Sequence, residues 1–191
     1  MGRFALLVPL AAFALAGCGE GATEGDALEA ANEAAQPAPA AEASSGNAGA
    51  ILSASGIALA DGKDLSFGAS RPLVMEAMAD AGLGDPQISN NAECGAGPME
   101  FAAFGGLTLN FQDGQLVGWM ARDGAGVTTD GIRPGASFAD LARERSAAMV
   151  EDSTLGGEFS YRAADGSDIY GFVDEAGDID SLYAGTTCFF R

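Results

Sequence analysis

The chain has 191 residues, nine Lys and Arg against 27 Asp and Glu, and a formal net charge of -18. Such acidity repels phosphate backbones and argues against nucleic-acid binding. Histidine is absent, which excludes Ser-His-Asp and Cys-His nucleophilic sites and His-ligated zinc.

Arg3 precedes an unbroken apolar run over residues 4–15, the length of a signal h-region and too short to span a bilayer. Leu15-Ala16-Gly17-Cys18 follows and looks like the lipobox of a bacterial lipoprotein precursor. The resemblance implies a signal peptide over residues 1–17 and a lipid on Cys18. Three acyl chains at roughly 0.8 kcal/mol per buried CH2 exceed what stable anchoring needs. Gly19 in place of Asp implies, by the sorting rule of such lipoproteins, the outer membrane facing the periplasm. The competing readings are a signal peptide cut without lipidation and a buried N-terminal helix.

Residues 18–50 are rich in Ala, Glu, Gly, Pro, Asn and Ser, with Leu28 as the only large aliphatic side chain. They bury too little apolar surface to offset ordering entropy, so a disordered tether is expected, with a reach of about 30 Å. The remaining residues make one domain of ordinary size.

That domain reads as two halves, 51–127 and 128–191. Residues 51–59 suit an opening strand. Ser70 then caps a helix with Pro72 in its first turn and Gly82 at its C-terminus. Strands follow at 99–104, 107–111 and 116–121, the last two joined by Asp113-Gly114, a strong hairpin signal. In the second half Ser137 caps a helical run over 138–149. Strands follow at 158–162, 169–173 and 179–184, with turns at Asp165-Gly166 and near Gly177. Gly68-Ala69-Ser70 and Gly135-Ala136-Ser137 echo one another. The expectation is an α+β protein of tandem αβββ repeats. Two helices would cover one face of an antiparallel sheet and leave the other open.

Period-2 geometry places Phe111 opposite Leu116 and Thr108 opposite Trp119 when the hairpin turn has two residues. Leu107, Leu109, Phe111, Leu116 and Met120 then face the helices. Thr108, Asn110, Val117 and Trp119 face away and become candidate partner contacts, with Trp119 as anchor. One inserted residue reverses the assignment and makes Trp119 core.

With Cys18 assigned to lipid, Cys94 and Cys188 form an even pair in an oxidising compartment, where a disulfide is the leading reading. Free buried thiols and a reactive Cys94 are the alternatives. The latter lacks a C-x-x-C motif and a histidine to lower the thiol pKa. Asp174-Glu175-Ala176-Gly177-Asp178-Ile179-Asp180 lacks the Gly and Glu positions of an EF-hand and reads as a solvated turn. No phosphate-binding glycine loop is present. No catalytic residue, metal ligand or cofactor is assigned.

The twofold αβββ plan resembles the beta-lactamase-inhibitor protein fold and the small lipoprotein of the outer-membrane barrel-assembly machinery. The stretches Glu93-Cys94-Gly95-Ala96-Gly97-Pro98 and Gly106-Leu107-Thr108-Leu109-Asn110-Phe111-Gln112-Asp113-Gly114 are similar to those of small envelope lipoproteins with no established biochemical role. The tether, the duplicated sheet plan and the missing catalytic groups together point to a non-enzymatic lipoprotein binding another envelope protein through its open sheet. The alternatives are a carboxylate-based periplasmic hydrolase of glycans and a passive ligand-holding lipoprotein.

Overall fold

The computed structural model describes residues 49–189. The readings of residues 1–17, of Cys18 and of all but the last two residues of the 18–50 tether lie outside them. The chain opens with three strands, β1 (Ala50–Ser53), β2 (Gly56–Leu59) and β3 (Asp64–Ser66). The expected single opening strand is therefore a hairpin, turned at Ala54-Ser55, followed by a third strand.

Helix α1 (Arg71–Asp80) starts after Ser70, carries Pro72 in its first turn, and buries Val74, Ala77 and Met78. It ends at Gly82, where φ of +76° suits glycine. The amides of Gly82 and Leu83 return to the carbonyls of Ala79 and Met78, which satisfies the last turn. Strands β4 (Gln87–Asn91), β5 (Met99–Phe104), β6 (Leu107–Gln112) and β7 (Gln115–Arg122) complete the first half. The Asp113-Gly114 turn has both φ angles positive, 51° and 75°, the type I′ form that matches strand twist. A short β8 (Val127–Thr128) then pairs in parallel with β1.

Helix α2 (Phe138–Arg145) is capped by Ser137, whose hydroxyl accepts from the Asp140 amide at 3.4 Å. It stops at Ser146 in the left-handed region, short of the expected 149. Ala148 and Met149 instead form β9 (Ala148–Met149), pairing with β10 (Glu158–Arg162). Extending the helix would cost those sheet bonds. β11 (Asp168–Val173) and β12 (Ile179–Gly185) follow.

The protein is α+β, with strands in the order β4-β5-β6-β7-β12-β11-β10-β9 in one sheet and β3-β2-β1-β8 in a smaller one. The two halves of the larger sheet meet at β7 and β12, so its order runs outward symmetrically from the middle. The sequence echo has a structural counterpart. Gly68 donates to the Leu116 carbonyl at 2.8 Å, and Gly135 donates to the Ile179 carbonyl at 2.7 Å. Leu116 and Ile179 return bonds to Ala69 and Ala136. In both halves the Gly-Ala-Ser segment thus clips onto the start of the last strand. Each half carries one strand more than αβββ. β4 is exposed throughout with Ile88 as its single apolar side chain, and β9 has two residues, so neither has the alternation that marks a strand in sequence.

The core lies between the larger sheet, both helices and the small sheet. Val74 and Met78 of α1, Leu141 of α2, and Leu52, Ile57 and Leu65 of the small sheet pack with Leu107, Leu109, Trp119, Phe159 and Leu182. Full burial of such side chains contributes about 1.5–3 kcal/mol each. Cys94 and Cys188 form a disulfide, as the cysteine count anticipated.

Candidate functional site

Trp119 does not face away from the helices, which removes it as a partner contact and bears out the alternative in which one inserted residue makes it core. It is fully buried, and its indole Nε1 donates to the Ser53 carbonyl at 2.8 Å, tying the two sheets together. The cause is a one-residue irregularity in the β6–β7 register. Phe111 faces Leu116, yet Asn110 faces Gly118 and Leu109 faces Trp119. Val117 is the extra residue, and beyond it every β7 side chain changes face. Met120 accordingly moves outward, opposite Thr108.

The bulge sits where the two central strands cross closely. Thr186 donates to the Val117 carbonyl at 2.8 Å. A Cβ on Gly118 would lie 2.4 Å from the Thr186 carbonyl oxygen, and one on Gly185 would lie 2.2 Å from that of Val117. Gly185 also has φ of +75°. Asn110 belongs to the same junction: it is buried, and its Nδ2 donates to the Thr186 carbonyl at 2.9 Å. Asn110 therefore holds the C-terminal segment and is withdrawn as a partner contact. Of the four candidates, Thr108 lies half-buried on the outward face and Val117 lies half-buried in the bulge.

The outward face is defined by the pairing. Ala103, Thr108, Met120, Tyr183, Tyr170 and Ser160 form one continuous cross-strand row over β5, β6, β7, β12, β11 and β10. At about 4.8 Å per strand the row is about 24 Å long. Phe101 and Phe172 flank it, and Phe101, Met120 and Phe172 are all half-buried. Both helices contribute their buried side chains to the opposite, core face.

Aromatic rings stiffen one end of this face. Tyr183 stacks on Tyr170 and on Phe172, with centroids 5.6 Å away in each case. Phe189 stands edge-on to Phe172 at 5.4 Å and to Tyr183 at 5.2 Å. Such pairs contribute about 0.5–1.5 kcal/mol each beyond burial. The Tyr183 hydroxyl donates to Glu158 Oε1 and the Ser153 hydroxyl to Glu158 Oε2, so this buried carboxylate is hydrogen-bonded on both oxygens. The Cys94–Cys188 disulfide fixes the segment carrying Phe189 beside the rings. A groove of about 720 Å³ runs here, bordered by Cys94, Ala96, Tyr170, Tyr183, Thr187 and Phe189. Period 2 would have placed Tyr170 and Phe172 together, and the second hairpin would have added Tyr183. Phe189 has no such signal, because the disulfide places it.

A second cleft of about 420 Å³ is lined by Arg71, Asn90, Glu100 and Asp113 together with the apolar Met99 and Phe111. Arg71 Nε donates to Glu100 Oε1 there. The Asp174–Asp178 segment is a turn: Asp174 Oδ1 accepts from the amides of Ala176 and Asp178 at 2.8 and 3.0 Å. Among the described residues no group of three or more His, Cys, Asp or Glu is placed to hold a metal ion. Among them, too, no helix is long and apolar enough to cross a membrane.

No family model matches the chain, and no curated protein matches it. Among solved structures it is similar to an uncharacterized protein, yfeY, from Escherichia coli. Identity is 12%, with 58% of this chain and 87% of that chain covered and a TM-score of 0.41. A likeness of that degree carries no inference about function.

Proposed function

We propose that this chain is a lipid-anchored protein of the bacterial envelope that works by binding a second envelope protein, without chemistry of its own. Cys18 carries the anchor, and the mature domain reaches its partner at the outer membrane from the periplasmic side. The binding surface is the outward sheet face around Thr108, with Phe101, Met120 and Phe172. One observation carries this reading: the apolar side chains of Phe101, Met120 and Phe172 stay half-buried on the sheet face away from both helices, beside the part that the C-terminal segment covers over Asn110 and Tyr183. Rigid aromatic and apolar anchors on a preformed surface are what protein interfaces use as hot spots. The anchor reading rests on the lipobox-like residues and accords with a disulfide, which persists in oxidising compartments.

Two measurements test the proposal. Mass spectrometry of the mature N-terminus is expected to find an acylated Cys18; an unmodified cysteine overturns the anchoring. A Phe101→Ser/Met120→Ser variant is expected to fold, retain its disulfide and lose its crosslinked partner in intact cells. An unchanged adduct in that variant overturns the assignment of the face.

A further inference from the structure

The larger sheet ends on one side in β4, and this edge is unlike the other strand ends. β9 closes the opposite side with only two residues, and β3 edges the small sheet with three, the first of them Asp64. Proteins blunt free edges with short strands, charges, proline or bulges. β4 has five residues, Gln87-Ile88-Ser89-Asn90-Asn91, with no charge and no proline, and it pairs with β5 without a register shift. All five residues are exposed, and Ile88 is one of four large apolar side chains left exposed among the described residues.

The edge is also held in place. The Asn91 side chain accepts from the Glu93 amide at 2.8 Å and donates to Cys188 Sγ at 3.4 Å. The disulfide therefore anchors the end of β4 as well as the C-terminal segment. A strand fixed beforehand loses little entropy on gaining a neighbour.

Charge selects the neighbour. Asp85 and Glu93 flank β4, and both are exposed. A second copy pairing antiparallel about Ser89 would bring Asp85 of one chain, just before the strand, towards Glu93 of the other, in the turn just after it, at both ends. Like charges brought together are destabilising. The same carboxylates attract a strand with basic ends. The cleft beside Asn90 and Asn91 agrees, since its charged side chains are Arg71, Glu100 and Asp113 and sum to one negative charge.

We propose that β4 is a strand-addition site: an extended segment of another protein, with Lys or Arg at its ends, joins the sheet as a further strand. Main-chain bonds supply affinity and the flanking carboxylates supply selectivity. This surface is separate from the outward face, and its failure leaves the proposal for that face standing.

The test uses the full chain and two synthetic probes, an acetylated Thr-Val repeat with lysine at both ends and the same repeat with glutamate. Fluorescence anisotropy is expected to show the lysine probe binding at least about tenfold more tightly, a difference that narrows with salt. Amide hydrogen exchange is expected to slow in β4 when the lysine probe is bound. The Asp85→Lys/Glu93→Lys variant, altered only at exposed positions, is expected to invert the preference. Equal binding of both probes, or no protection of β4 by either, overturns the proposal. So does a probe-free dimer in sedimentation velocity that Ser89→Pro converts to monomer, because the edge would then belong to a second copy.

Discussion

Replacing both cysteines, as Cys94→Ser/Cys188→Ser, removes a crosslink with a sequence separation of 94 residues. In the chain-entropy model, freeing a loop of that size costs about 4.7 kcal/mol at 25 °C. At about 4 °C per kcal/mol for a domain of this size, the melting temperature is expected to fall by about 15–20 °C. The loss should be largest at the C-terminal segment, because Cys188 and the ring contacts of Phe189 hold it. Thermal unfolding followed by circular dichroism checks the magnitude, with the reduced wild type as a second route to the same state. Agreement between variant and reduced wild type is required. A fall below about 5 °C would refute the reasoning, since a staple over so long a loop cannot be worth so little unless the unfolded chain is already ordered.

Trp119→Phe keeps most of the buried ring but leaves the Ser53 carbonyl without its donor. Chemical denaturation should show a loss of about 1–3 kcal/mol, against about 3–5 kcal/mol for Trp119→Ala. Gly118→Ala places a methyl against the Thr186 and Ala184 carbonyls, at 2.4 and 2.8 Å, and should cost about 1–3 kcal/mol by the same assay. Burial pushes the Tyr161 hydroxyl up from 10.0 to about 12, partly offset by its hydrogen bond to Thr128. The folded chain thus keeps a proton that the unfolded chain releases. This contribution is complete below pH 10 and is lost as pH rises through about 12. Tyr161→Phe should flatten that part of the stability profile.

The hairpins were legible because their signals are local. Asp113-Gly114 demands positive φ at both residues, and the alternation in Leu107–Gln112 fixes its own faces. The helix starts at Ser70 and Ser137 and the stop at Gly82 were local in the same way. The Gly-Ala-Ser echo disclosed the duplication because each copy makes the same pair of backbone bonds. What failed was long-range. The bulge at Val117 is held by Thr186, and Gly118 was its only trace in β7, a glycine inside a strand. The bulge's presence or absence decides the faces of Trp119 and Met120, while Asn110 keeps its outward face and is buried by the distant Thr186 segment. β4 stayed hidden because an exposed edge strand with one apolar side chain, Ile88, has no hydrophobic period to read. The parallel pairing of β1 with β8 is likewise set by the assembled core and not by neighbouring residues.

The binding role of the outward face is tested most directly by photo-crosslinking in intact cells. A photoreactive residue would replace Thr108 on that face and, in a matched strain, Ala79 on the exposed side of α1. A discrete adduct from position 108, absent from position 79, is predicted. Adducts from both positions alike, or from neither, would contradict the account.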